Sequence, residues 1–206
     1  NRAAGWREST KTLTESPVLS EATDAPDRLP SSVLNLVGRL THGGFTPVLV
    51  GGYALVLLGS REMTFDFDFV VATCGAPIGL QAVLRVLYET DFRRVSKLDE
   101  HGDVTEYVED LAESERNFLA HPPNVAFFWH PRDRIRVDIL LDFPIPAAEL
   151  VRAAEKIETG QAGETILVAG VEHLKELKRI AYNYRRSPKD LRDLEFLERL
   201  TPGKEA

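Results

Sequence analysis

Residues 47–71 read PVLVGGYALVLLGSREMTFDFDFVV. A short apolar run, residues 48–50, is broken by Gly51-Gly52; an apolar helical segment, residues 53–58, follows and stops at Gly59. The chain then becomes extended over 64–71, where Asp66 and Asp68 alternate with Phe65, Phe67 and Phe69. Alternation of period two puts both carboxylates on one face of a strand and the phenylalanines on the other. Their α-carbons would lie about 6.6 Å apart, close enough for the side chains to converge on one or two divalent cations. Two carboxylates on one face repel each other unless something positive sits between them, which is a reason to expect a metal there. The plainer reading is an amphipathic strand with a solvated acidic face.

The residues ahead of the acids favour the metal. A Gly-Gly pair between strand and helix lets backbone amides approach an anion at the helix start, and Arg61 and Thr64 add a cation and a hydroxyl. In order and spacing these residues resemble the Gly-Gly or Gly-Ser, helix, Arg-x-Thr-x-Asp-x-Asp pattern of the nucleotidyltransferase superfamily, with its DNA polymerase β-like fold. Within it the chain is most similar to the branch containing the AbiEii-type toxins of type IV toxin–antitoxin systems. The resemblance implies an α+β fold, a mixed β-sheet flanked by helices with further helices at the C-terminus. One residue departs from the pattern: Gly52 stands where many members have Ser, so a phosphate contact must come instead from backbone amides, Ser60 or Arg61.

Around this centre, residues 1–28 are polar and aperiodic and read as a mobile arm. Residues 29–145 read as the core, and 146–206 as a C-terminal helical region packed on it. Pro30-Ser31-Ser32 starts a helix capped by a serine, with Val33, Leu34, Leu36, Val37 and Leu40 as its buried stripe, and His42-Gly43-Gly44 ends it. Residues 74–77 read as a turn and 78–90 as a helix with Leu80, Val83, Leu84 and Leu87 inward. A short strand is expected over 92–95, and near-helical spacing of Val104, Tyr107, Val108, Leu111 and Phe118 predicts a helix over 103–119.

Residues 125–129 and 134–141 read as a hairpin. In its second strand Ile135, Val137 and Ile139 face one way, and Arg136, Asp138 and Leu140 the other. Asp138 repeats the acid-between-apolars pattern of Asp66 and Asp68, and the resemblance makes it the third carboxylate, from a neighbouring strand. Asp142 ranks second for that place. The plainer reading of Asp138 is a partner for Arg61 or Arg136. Residues 144–158 then read as a helix, Gly160 and Gly163 as a loop, and 165–169 as a strand. Two helices split at Ser187-Pro188 close the chain, with Leu174, Leu177, Ala181 and Tyr184 on one face of the first and Leu191, Leu194 and Leu197 on one face of the second.

Residues 171–200 carry eight Lys/Arg against six Asp/Glu in a chain whose net charge is −7. That asymmetry sets cations opposite the acidic site, as phosphates would require. The same segment is similar to the family's Leu-Lys helix followed by Arg, Lys-Asp and a further Asp; the matching residues are Lys178, Arg185 or Arg186, Lys189-Asp190 and Asp193. By that resemblance Lys178 would hold nucleotide phosphates and Asp190 would be a site acid or orient Lys178. Charge patterning alone describes a solvated, salt-bridged helix pair.

The implied activity is metal-dependent transfer of a nucleotidyl group from a nucleoside triphosphate to an acceptor hydroxyl. Asp66, Asp68 and Asp138 would hold Mg²⁺ or Mn²⁺, while Gly51, Gly52, Ser60, Arg61, Thr64 and Lys178 would meet the nucleotide and its phosphates. The acceptor stays open among a tRNA end, a protein hydroxyl and a small molecule. The acidic balance disfavours a wide nucleic-acid footprint and the basic C-terminal helices allow a short one. The alternative is a non-catalytic member of the fold that binds a nucleotide or a cognate protein partner. At 206 residues and 43% apolar the chain can bury one good core. Cys74 as the one cysteine suits a reducing cytoplasm, and neither a membrane span nor a signal-peptide apolar region is legible.

Overall fold

The structure, a computed structural model, describes residues 10–12, 29–62, 64–72, 77–159 and 164–200, with side chains for all of these except 10–12, 77 and 78. In chain order the elements are β1 (Thr10–Thr12), α1 (Ser31–His42), β2 (Val48–Val50), α2 (Gly51–Leu57), β3 (Asp66–Val71), α3 (Pro77–Glu89), β4 (Arg93–Leu98), β5 (Val104–Val108) and α4 (Leu111–Ala120). They continue with β6 (Val125–His130), β7 (Ile135–Leu141), α5 (Ala147–Ala153), β8 (Glu155–Glu158), β9 (Thr165–Val168), α6 (Val171–Arg185) and α7 (Pro188–Leu200). The nine strands form one mixed sheet in the order β1-β5-β4-β6-β7-β3-β2-β9-β8. An α+β architecture with C-terminal helices is thus what the sequence adopts.

The acidic strand β3 lies inside the sheet, antiparallel to β2 and parallel to β7. Its alternation does what period two demands. Phe67 and Phe69 are buried with Val137 and Ile139 of β7 and Phe128 of β6, against a core that α1 and α3 close through Val33, Leu36, Leu40, Leu84 and Leu87. Phe65 does not join them: the strand starts one residue later, and Phe65 is 72% exposed.

Three local readings are corrected. The helix α1 begins without a serine cap, because Pro30 holds the cap position with φ −57° and no side-chain hydrogen bond closes the first turn. Residues 103–119 are not one helix. Asp99 Oδ1 accepts the amides of His101 and Asp103, both at 2.9 Å, and Gly102 turns at φ +87°. The chain therefore doubles back as β5 on β4, and Asp110 caps a separate α4 by accepting the Glu113 amide at 2.7 Å. Residues 144–158 are likewise split: Ala154 is extended, and the helix-prone Glu155-Lys156-Ile157-Glu158 becomes an edge strand paired with β9.

The arm expected over 1–28 lies outside the described residues apart from β1, which pairs with β5. The turn at 74–77, up to Pro77 where α3 starts, and the glycine loop at 160–163 lie outside them too. Among the described residues no helix is long and apolar enough to cross a membrane.

Candidate functional site

The parallel pairing of β3 with β7 matches Asp66 to Arg136 and Asp68 to Asp138. Partners in adjacent strands share a face, and residues two apart share it too. Three carboxylates and one guanidinium therefore occupy a two-by-two patch on the sheet face opposite the phenylalanine core. Arg136 binds both neighbouring acids, donating from Nη2 to Asp66 Oδ2 at 2.5 Å and from Nε to Asp138 Oδ1 at 3.0 Å. Asp138 is buried, as is the chain around it, whereas Asp66 is partly open. The partner role for Arg136 that the sequence offered as the plainer reading is present, and Asp138 still converges with Asp68.

Gly51 opens α2 beside this patch with φ +70°, a conformation that costs an L side chain strain. A Cβ there would lie 1.9 Å from Asp68 Oδ2 and 2.6 Å from its Cγ. The glycine is what lets the backbone come down on the carboxylate. A Cβ on Gly52 would stand 3.0 Å from Thr64 Cγ2 and 3.2 Å from its Oγ1, so the hydroxyl that a Ser would bring is replaced in space by that of Thr64. Gly51→Ala is expected to destabilise the fold by about 2–3 kcal/mol, since strain and displacement of a part-buried carboxylate add. A thermal melt within 1 °C of the parent sequence would reject this packing.

Across from the strands stands α6–α7. Lys178 reaches Asp193 Oδ2 at 2.5 Å and Asp190 Oδ1 at 3.6 Å. Arg185 makes a two-pronged contact with Asp190, Nε to Oδ2 and Nη2 to Oδ1, both at 2.6 Å. Asp190 and Asp193 are fully covered. They lie behind the cations, where they aim them. Burial alone would raise Asp190, but the Arg185 hydrogen bonds and charge, with help from Lys178, hold it below the ordinary carboxylate range.

Between the two walls lies a cleft of about 790 Å³. It is lined by Gly51, Gly52, Thr64, Asp66, Asp68, Arg136 and Asp138 from the strand side and by Lys178, Arg185 and Lys189 from the helix side, with the apolar side chains of Phe143, Leu177, Ile180 and Tyr184 also in its wall. Tyr184, Ile180 and Phe143 are among the large hydrophobic residues left exposed. Two expected phosphate ligands are elsewhere. The chain reverses at Gly59 (φ +95°), which turns Ser60 and Arg61 into a separate hollow of about 340 Å³ under α7, where Glu62 pairs with Arg192. Asp142 is also outside the cleft, its Oδ1 accepting the Ala147 amide at 3.0 Å where α5 begins.

Sequence reasoning left Arg185 undecided against Arg186 and did not find the apolar wall. The signal for the wall was present: Leu174, Leu177, Ala181 and Tyr184 form a stripe on α6 that lines the cleft, with Leu174 buried in the core and Tyr184 exposed.

Electrostatics are out of balance at the strands. Burial, then the charge of Asp66, pushes Asp68 up to about 6, against the pull of Lys178, Arg136 and Arg185. Burial, then the charge of Asp68, pushes Asp138 up to about 7 in spite of Arg136. Such carboxylates hold protons in the folded protein that the unfolded chain, with carboxylates near pH 4, has already released. Their contribution is therefore fully present below about pH 4 and lost as pH rises through about 6 and about 7. Asp190, shifted downward, acts only below that window. Without added cations the protein is expected to melt higher at pH 5.5 than at pH 8, with Asp138→Asn flattening the difference. A melting temperature indifferent to pH across this range would contradict the mutual repulsion.

Asp68 has no ion pair or hydrogen bond among the described side chains, and its register partner Asp138 is short of positive charge. The chemistry of this pair fits a divalent cation. The fit does not extend to Asp66, whose carboxylate is taken up by Arg136, and among the described residues no three Asp, Glu, His or Cys side chains are arranged to hold a metal ion.

No family model and no curated protein matches the chain. Solved structures to which the chain is similar include three. One is a lincosamide antibiotic adenylyltransferase, LnuA, bound to lincomycin, at 13% identity and a TM-score of 0.49, covering 84% of this chain and 99% of that one. The antibiotic-resistance factor ANT(2'')-Ia matches at 11% identity and 0.49 over 82% of each chain. An antigenic nucleotidyltransferase-like protein from Paracoccidioides brasiliensis matches at 18% identity and 0.47 over 84% of this chain and 78% of that one.

Proposed function

We propose that the cleft transfers a nucleotidyl group from a nucleoside triphosphate to an acceptor hydroxyl. The observation that carries this is the opposition, across one cleft, of three carboxylates on adjacent strands and three cations on α6–α7. Acids alone would repel a triphosphate and cations alone would bind any anion. Together they suit a triphosphate that arrives with a metal ion. A Mg²⁺ or Mn²⁺ ion held by Asp68 and Asp138 would supply charge neutralisation and polarise the α-phosphate.

The rest falls to the chain's own residues. Lys178, Arg185 and Lys189 meet the β- and γ-phosphates, and the backbone at Gly51-Gly52, with the Thr64 hydroxyl, borders the sugar-phosphate side. Asp138, the carboxylate beside Asp68, accepts the proton of the acceptor hydroxyl. The acceptor oxygen bonds to the α-phosphorus as the bond to the bridging oxygen breaks, and pyrophosphate leaves along the basic wall. The apolar side chains of the lining take the flat or aliphatic part of a substrate.

A second reading has its own support: Arg136 already neutralises two of the acids, as a nucleotide-binding member without turnover would allow. The finer assignments rest on sequence. The AbiEii-type branch, and with it a cognate protein partner, rests on resemblance to the Gly-Gly, helix, Arg-x-Thr-x-Asp-x-Asp pattern, the acceptor is a tRNA end, a protein hydroxyl or a small molecule, and Cys74 as the one cysteine suits a cytoplasmic setting. Incubation with each labelled nucleoside triphosphate and Mg²⁺ in a cell extract, followed by mass spectrometry of RNA, protein and small molecules, tests the proposal. A nucleoside monophosphate adduct with equimolar pyrophosphate supports transfer. Metal-linked nucleotide binding without pyrophosphate supports the second reading, and no nucleotide binding at all rejects both.

A further inference from the structure

Arg136 is held more firmly than a surface counter-ion. Besides its bonds to Asp66 and Asp138, it donates from Nη1 to the Gly102 carbonyl at 3.1 Å, and its guanidinium sits 5.8 Å from the centre of the Phe127 ring. Phe127 is itself the register partner of Asp138 on β6. Hydrogen bonds from three nitrogens and an aromatic face fix the planar group from different sides. Swinging it out would break all of these contacts and leave Asp66 and Asp138 uncompensated beside Asp68.

The charges agree with that placement. Three carboxylates are balanced by one guanidinium and one divalent ion, whereas two divalent ions added to a fixed Arg136 would leave the patch positive before any nucleotide arrived. Of the three carboxylates, only Asp68 lacks an ion-pair or hydrogen-bond partner among the described residues. We propose that Arg136 is a built-in cation standing where a second divalent ion would sit, so that this cleft binds a single divalent ion, centred on Asp68 and Asp138, with Asp66 serving to hold Arg136. The proposal rests on reading the cleft as a nucleotidyl-transfer site, and it assigns Arg136 the electrostatic part that a second ion would play beside the acceptor oxygen.

Mn²⁺ titration of the metal-free full chain at pH 8, followed by the electron paramagnetic resonance of free Mn²⁺, counts the sites directly. One site per chain is expected for the parent sequence and two for Arg136→Gln, in which Asp66 is released. Asp66→Asn removes a charge that acts on Asp68 but no ligand of the ion, so it is expected to bind Mn²⁺ more weakly and still at one site per chain; this variant decides the matter if Arg136→Gln does not fold. Two sites in the parent chain, one site in a folded Arg136→Gln, or no Mn²⁺ site left in Asp66→Asn would each overturn the proposal and leave nucleotidyl transfer standing. No Mn²⁺ bound by the parent chain would overturn it together with the metal-dependent transfer it rests on.

Discussion

Asp68→Asn is expected to lower nucleotidyl transfer by about 10³-fold, the rate equivalent of losing about 4 kcal/mol of charge stabilisation in the transition state. The same change is expected to stabilise the metal-free protein at pH 8. Asp68 stands against Asp138 in register and has no ion pair among the described residues; its charge raises the affinity of Asp138 for protons, as the charge of Asp66 raises its own. Removing one charge relieves a repulsion that folding imposes, while a neutral amide keeps the volume. Activity and stability then move in opposite directions. A carboxylate that merely supported the fold would lose both together, so a drop in melting temperature that parallels the loss of turnover would defeat the site assignment. Undiminished turnover would defeat it from the other side.

Asp68 could be singled out in the sequence because its signal is local. Period-two alternation is visible over six residues, and the glycine pair precedes it within a fixed distance. The same locality made the β6–β7 hairpin and the α6–α7 break at Ser187-Pro188 legible. Asp138 needed one long-range step, the parallel pairing of β3 with β7 across 70 residues, and no local pattern encodes that register. Misreadings came where one pattern fits two periods. Val104, Tyr107 and Val108 suit a helix face and also a short strand, and only the Asp99–Gly102 turn decides between them. Glu155–Glu158 is helical by propensity and becomes a strand because β9 offers it an edge. The role of Arg136 was least legible of all. It depends on where a side chain ends, and neither its identity nor its spacing from Asp138 says whether it faces solvent or bridges two strands.

Lys178→Met should separate the two tasks of the α6–α7 cluster. Lys178 is buried, and its ammonium is the cation paired with Asp193, whose Oδ2 has no hydrogen bond to fall back on. Asp190 keeps its two-pronged contact with Arg185 whatever happens to the lysine. Methionine therefore strands one buried carboxylate, a loss of roughly 3–5 kcal/mol, which lowers the melting temperature by about 10 °C in a domain of this size. Nucleotide affinity falls as well, by about 10–100-fold, because a cation facing the triphosphate is gone. Removing the stranded acid should undo only the first effect. In Lys178→Met/Asp193→Leu both charges give way to apolar groups of similar size, and replacing a buried pair in this way is often neutral for stability. The double variant is expected to melt within a few degrees of the parent sequence and still to bind nucleotide weakly. Recovery of both properties would make Lys178 a structural residue and strip the basic wall of its central member. Recovery of neither would mean that α6 and α7 depend on this pair for their geometry, because no apolar packing could stand in for it.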